Sequence, residues 1–328
     1  MNNKYKLAIV GATGLVGRTV LKILEEKNFP NIEYTLFASK KSAGSTIKFF
    51  NTNYIVNELN KKSFDNKFDF AIFSAGSETS KEFAPIAASK GCTVIDNSSA
   101  FRLFNDIPLI VPEVNGKEAL NNNGIISNPN CSTIQAVVPL KVLDDKYSIK
   151  RIVYSTYQAV SGAGKKGLED LLLKNSSTNL KTFNYPIYNN CLPQIDTFLD
   201  DGYTKEEYKM INETKKILGK PDISITATTV RVPVENCHCE CINVEFEKDF
   251  LIKDVFELLS NSPGIIVMDD IANNIYPIPT KVDGKNEVFV GRIRRDFSQS
   301  NTLNLWVVAD NVRKGAAYNA VQILELLL

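Results

Sequence analysis

Apolar positions in the N-terminal part of the chain come in short unbroken runs separated by stretches at helical spacing. Residues 6–10 read as a continuous strand, and Val20, Leu21, Ile23 and Leu24 then recur as one face of a helix. The alternation goes on through strands at 33–38 and 68–73, a helix near 80–90, and strands at 93–95, 109–111 and 124–126. Such a βαβ succession predicts a doubly wound parallel sheet. After residue 131, Ala136, Val137, Leu140 and Leu143 mark a helix. Residues 149–160 then alternate strictly, with Ile152, Tyr154, Thr156 and Gln158 on one face, which predicts a long strand in a larger sheet. An amphipathic helix over 205–218, strands at 223–232 and 237–246, a helix at 251–259, and strands near 264–268, 288–293 and 302–308 follow. Ala317, Val321, Leu324 and Leu328 close the chain as a helix expected to return to the first domain. Residues 175–191 lack periodicity, contain Pro186 and read as a loop.

Glycine gives the first strand its chemistry. Gly11, Gly14 and Gly17 lie between strand and helix, where they permit a tight turn, close backbone approach to a pyrophosphate and helix packing against the strand. The spacing is GxxGxxG rather than GxGxxG, so the flanking strand and helix carry the inference. After the second strand, where an NAD site usually offers a carboxylate to the ribose, stand Ser39, Lys40, Lys41 and Ser42, which favours a 2′-phosphate and hence NADP. Residues 96–102 form a polar loop at a strand's C-terminal end, where Arg102 could grip an anion or simply be solvated. A second glycine-rich stretch, 161–167, reads as a flexible loop.

Cys131 stands where a loop becomes a helix, flanked by Asn130, Ser132 and Thr133. Unpaired N–H groups and the positive end of the helix dipole favour a thiolate there. The only histidine is His238. It lies within Cys237-His238-Cys239-Glu240-Cys241, but strand alternation sends the three thiols to one face and His238 and Glu240 to the other, which argues against zinc. From spacing alone, Glu213 and Lys216 read as an i,i+3 surface pair.

With 328 residues, 38 basic against 37 acidic, the chain has room for two domains and no bulk charge for nucleic acid or an anionic membrane. No run approaches the ~18 apolar residues of a membrane span. The N-terminal residues enter a strand without signal-peptide character, and six cysteines without a secretory signal suggest reduced thiols in the cytoplasm. A dinucleotide turn, a helix-start cysteine and one distant histidine together suggest thiol-dependent oxidoreduction of an aldehyde or acyl phosphate, with His238 as the group for proton transfer.

The residues 11–17, 127–135, 155–164, Glu213-Thr214-Lys215-Lys216, Arg231 leading to His238, and Asn311 before Gly315 closely resemble the aspartate-semialdehyde dehydrogenase family over essentially the whole chain. The resemblance implies that Cys131 forms an acyl thioester, His238 is the acid/base, Gln158 orients the intermediate and Arg231 binds the substrate's α-carboxylate. It further implies a phosphate pocket of Arg102, Asn130 and Lys216, and Glu213 at the substrate's amino group. Gly11, Thr13, Gly14, Leu15, Val16, Lys41, Ser42, Ser161, Gly162 and Asn311 would line NADP. Lys41 stands where family members often carry arginine. The implied architecture is an α/β, Rossmann dinucleotide-binding domain (1–130 and 311–328) plus an α+β catalytic and dimerisation domain with a larger mixed sheet (131–310), in a cytoplasmic homodimer. The implied role is conversion of aspartyl 4-phosphate in lysine, threonine, methionine and diaminopimelate biosynthesis. The rival readings are an N-acetyl-glutamyl-phosphate reductase, a non-catalytic NADP-binding homologue and a zinc module.

Overall fold

The structure, a computed structural model, describes residues 4–174 and 178–328. The chain forms two compact units, one of residues 1–129 with 316–328 and the other of residues 130–315. The boundaries expected from the sequence are 130/131 and 310/311.

The first unit runs β1 (Tyr5–Val10), α1 (Leu15–Lys27), β2 (Ile32–Ala38), β3 (Thr46–Phe49), β4 (Thr52–Ile55), β5 (Asn57–Glu58), β6 (Phe70–Phe73), α2 (Ser77–Ser89), β7 (Thr93–Asp96), α3 (Pro112–Asn115) and β8 (Ile125–Ser127). Its main sheet has the order β5-β2-β1-β6-β7-β8 with every pair parallel. A central parallel strand is covered on both faces, and β1 follows suit. Leu7 and Ile9 pack into one apolar cluster with Val20 and Leu24, while Ala8 and Val10 pack into another with Phe64 and Phe73.

The second unit contains α4 (Cys131–Tyr147), β9 (Ile149–Gln158), α5 (Gly164–Leu172), α6 (Lys205–Leu218), β10 (Ser224–Arg231), β11 (His238–Phe246), α7 (Ile252–Ser260), β12 (Ile265–Val267), α8 (Pro279–Val282), β13 (Val288–Arg295) and β14 (Thr302–Ala309). Its mixed sheet has the order β10-β9-β11-β14-β13-β12. β10 lies parallel to β9, β11 antiparallel to both β9 and β14, and β12 parallel to β13. The chain then re-enters the first unit through α9 (Asn319–Leu327), whose Ala320, Val321, Ile323 and Leu324 join the cluster of Leu7 and Ile9.

Two expectations need correction, and one hairpin had no counterpart among them. Residues 109–111 form no strand: Leu109 makes a single parallel bridge to Ser127, and prolines 108 and 112 on either side restrict the backbone and remove N–H donors. Residues 161–167 are not a flexible loop but a 3-10 turn running into α5, where a Cβ on Gly167 would overlap the Val160 carbonyl, so that glycine serves close packing. The hairpin β3–β4 escaped notice because its turn is Phe50-Asn51, both at positive φ, rather than a glycine dipeptide. Of the expected loop 175–191, the first three residues lie outside the described residues, and 178–191 make only turns and bends.

Candidate active site

In the second unit, α4 begins at Cys131 with Asn130 as its N-cap. The Asn130 side-chain oxygen accepts from the N–H groups of Ser132 (3.0 Å) and Thr133 (3.4 Å). This satisfies two of the donors a helix start leaves open. Cys131 is partly accessible, and a Cβ on Gly315 would come within 2.8 Å of its Cβ, so the Gly315 backbone packs closely against the first residue of α4.

Strand register then brings three distant side chains to one end of one sheet face. Arg231 on β10 pairs with Gln158 on β9, and paired residues share a face. β11 flanks β9 on the other side, and Cys239 pairs with Tyr157, so His238 falls on the face of Gln158. All three are buried. The same alternation sends Cys237 and Cys239 to the other face, in a cluster with Phe289 and Trp306. Burial pushes the Cys92 and Cys239 thiols up to about 12, which leaves them as inert apolar groups.

His238 has a defined tautomer. The Ala159 N–H donates to its Nδ1 at 2.9 Å, so the neutral ring carries its proton on Nε2, a fully buried atom with no protein partner. Complete burial, followed by the Arg231 charge, drives its pKa well below the ordinary histidine value. Arg231 donates from Nη1 to the Ala159 carbonyl at 2.7 Å. Its own pKa is lowered by burial, against the opposing pull of Glu206 and Cys131, so guanidinium and thiol lie within electrostatic reach of each other. A Cβ on Gly162 would sit 2.8 Å from Arg231 Nη1 and 3.2 Å from His238 Nε2, so only a bare backbone fits beside both.

Glu213 does not lie on the surface. Glu213 is buried and accepts the Asn130 N–H at 2.6 Å, while Lys216 is half-buried on the same helix. Glu206 is a site residue that the sequence reading missed. Its Oε1 accepts from Asn130 Nδ2 (2.9 Å) and Gln158 Nε2 (3.2 Å), and its Oε2 from Lys209 (3.0 Å). The only sequence signal was a carboxylate two helical turns before Glu213.

Residues expected at a cofactor fall in both units. In the first, Gly11 has φ +86°, and a Cβ there would lie 2.6 Å from the Ser74 carbonyl oxygen. Gly14 caps α1 with no side-chain hydrogen bond, so the helix start, with Thr13, Leu15 and Val16 around it, presents bare N–H groups of the kind that bind a pyrophosphate. The turn after β2 is closed by Ser42 N–H to the Ser39 carbonyl, with Lys41 exposed and Ser42 half-buried. Arg102 is not solvated but buried, donating to the carbonyls of Asn128 and Asn97. In the second unit Asn311 donates to Ser161 Oγ at 2.9 Å and accepts the Cys237 N–H at 2.9 Å, which pins the loop ahead of His238.

A bare helix start on a parallel sheet suits a dinucleotide, and a helix-start thiol grouped with a neutral imidazole suits acyl chemistry. The class these define is a nicotinamide-dependent dehydrogenase. Family models described as semialdehyde dehydrogenase, NAD binding domain, and semialdehyde dehydrogenase, dimerisation domain, match residues 6–122 and 140–314. The aspartate-semialdehyde dehydrogenase of Aquifex aeolicus is 52% identical, covering 99% of this chain and 98% of its own, and that of Bacillus subtilis is 44% identical, covering 100% and 98%. The crystal structure of aspartate semialdehyde dehydrogenase II from Vibrio cholerae matches with TM-score 0.95 at 46% identity, over 99% of this chain and 98% of that one. The chain belongs to the aspartate-semialdehyde dehydrogenase family.

Proposed function

We propose that this chain catalyses the reversible reductive dephosphorylation of L-aspartyl 4-phosphate to L-aspartate 4-semialdehyde and phosphate, with NADP(H), through an acyl thioester on Cys131. The observation that carries the reading is the convergence of Arg231, Gln158 and His238 from three adjacent strands on the face against which the Cys131 helix packs. The relatives support the substrate, one Vibrio cholerae structure being of the enzyme complexed with ASA.

In the reductive direction the Cys131 thiolate attacks the acyl-phosphate carbon, the C–O bond to phosphate breaks, and a thioester remains. Bound nicotinamide supplies hydride to that carbon. Expulsion of the thiolate from the resulting thiohemiacetal releases the aldehyde. His238, with its proton on Nε2, donates to the oxygen where charge develops. Gln158 orients the thioester, and the planar Arg231 guanidinium holds the α-carboxylate by two parallel hydrogen bonds. Glu213 meets the amino group, and Arg102, Asn130 and Lys216 serve the phosphate. The domain roles follow: residues 1–130 with 311–328 bind the cofactor, and 131–310 carry catalysis and dimerisation.

NADP is favoured over NAD because the turn after β2 offers Lys41 and Ser42 in place of a carboxylate. The fit to a dinucleotide rests on Gly11, where any side chain would fill the turn, and on the uncapped start of α1. For the homodimer, the supporting surface is the sheet face opposite the thiol, where Tyr157 and Tyr276 are exposed and Cys241, Ile278 and Trp306 line a groove.

The deciding assay follows phosphate-dependent NADP⁺ reduction with aspartate semialdehyde and, separately, N-acetylglutamate semialdehyde. Turnover of the first, lost in Cys131→Ala with cofactor binding retained, is the expected result. Turnover of the second alone would overturn the substrate assignment.

A further inference from the structure

Glu206 is buried at the second residue of α6, a helix start locked by a reciprocal capping box between Thr204 and Glu207. Its carboxylate is the shared acceptor for two amides that the proposed chemistry depends on. Asparagine and glutamine side chains have nearly isosteric ends, so a buried amide needs a neighbour that accepts but cannot donate if it is to hold one orientation. An ionised carboxylate is such a neighbour. With its Nδ2 drawn to Glu206, Asn130 must turn its oxygen to the N–H groups of Ser132 and Thr133, which caps the Cys131 helix. With its Nε2 drawn to the same oxygen, Gln158 turns its own oxygen to the Thr156 hydroxyl at 3.0 Å.

We propose that Glu206, as a carboxylate paired with Lys209, is the positioning residue that sets the orientation of Asn130 and Gln158 and thereby of the Cys131 site. The inference deepens the reading above and rests on it for the meaning of Cys131 and Gln158.

The charges around Glu206 come from every element packed against it. Lys209 on its own helix is 3.0 Å away and also binds Asp196 (2.8 Å) from the preceding loop. Arg231 on β10 attracts it, and Glu240 on β11 repels it. Glu213 lies beyond Asn130 on the same helix. Burial works against ionising Glu206, but the Lys209 charge and the bonds from Asn130, Lys209 and Gln158 together hold its pKa below the ordinary carboxylate value. Glu240, buried with neither oxygen bonded, is pushed well above that value by burial and then by Glu206. Two buried carboxyls thus divide the labour, one charged and one neutral.

Glu206→Gln replaces one acceptor oxygen by an NH₂ that must face either Lys209 or the two amides. The expected result is a roughly 100-fold fall in kcat, the scale of a misplaced reacting group, with KM for aspartate semialdehyde changed far less. Lys209→Met leaves Glu206 buried without its cation. A new ionisation should then enter the neutral pH range, with kcat rising with pH as Glu206 ionises, and it should vanish in the Glu206→Gln/Lys209→Met double variant. Iodoacetamide alkylation of Cys131, followed by peptide mass spectrometry against pH, should show the same extra step in Lys209→Met and its loss in the double variant. That readout needs no substrate, so it stands even if the aspartate assignment fails. A structural role alone would lower rates without adding a titration. The proposal is overturned if Glu206→Gln keeps kcat within twofold, or if the Lys209→Met alkylation profile has the single step of the wild type.

Discussion

The backbone N–H of Ala159 donates to Nδ1 of His238 at 2.9 Å, so the residue that follows Gln158 in sequence fixes the proton of the imidazole on Nε2. Protonating Nδ1 would set two N–H groups against each other, and burial beside Arg231 opposes the charge further. Because the chain has one histidine, its ring signals in an NMR spectrum are unambiguous. They should report the Nε2–H tautomer and show no titration between about pH 6 and 8, around the ordinary midpoint near 6.5. A midpoint in that window would contradict the assignment. His238→Ala should lower kcat by roughly 10²–10⁴-fold, the usual contribution of a positioned acid/base.

Gly162 offers a steric test of the same corner. It is exposed to solvent, yet an added Cβ would stand 2.8 Å from Arg231 Nη1 and 3.2 Å from His238 Nε2. Gly162→Ala should fold normally, because it has an open side, but lose roughly 100-fold in kcat/KM as Arg231 and His238 shift. Steady-state kinetics alongside thermal unfolding separates the two effects.

Glu240 makes a prediction about stability rather than rate. Its folded-state pKa is raised by burial, so above the unfolded value the native state binds a proton that the unfolded chain has released. Its contribution is therefore complete below about pH 4.5 and declines as pH rises toward the folded pKa, by at most about 1.4 kcal/mol per unit. Glu240→Gln, neutral at every pH, should remove that decline. Urea unfolding from pH 5 to 8 should find the variant gaining on the wild type as pH increases, and parallel curves would refute the assignment.

Lys41 tests the cofactor preference. It is exposed in the turn after β2, free of structural burden. Lys41→Glu should lower kcat/KM for NADP⁺ by roughly tenfold or more, the size of one charge-assisted hydrogen bond, while sparing NAD⁺. Equal losses with both cofactors would remove Lys41 from the 2′-phosphate site.

Much of this was legible in the residues themselves, because local physics fixes it. Unbroken apolar runs and glycine spacing give the parallel sheet and its first turn, since Gly11 and Gly17 stand where backbone meets backbone. Period-two alternation sorted His238 and Glu240 from Cys237 and Cys239, because a strand allows side chains only two directions. The helical spacing of Ala136, Val137, Leu140 and Leu143 announced a helix starting near Cys131 for the same local reason. Other features depend on which element lies against which, and no local pattern encodes that. Residues 109–111 look like a strand, yet they find only one bridge. Glu213 looks like half of a surface pair, and Glu206 like an ordinary first-turn acid, until α6 packs against α4 and β10 and buries both. The sequence alone established a dinucleotide-type fold with a thiol at a helix start. Only tertiary packing decided that one carboxylate, more than 40 residues from either amide, orients Asn130 and Gln158, because hydrogen bonds between distant segments form only once register and helix docking have brought them within 3.2 Å.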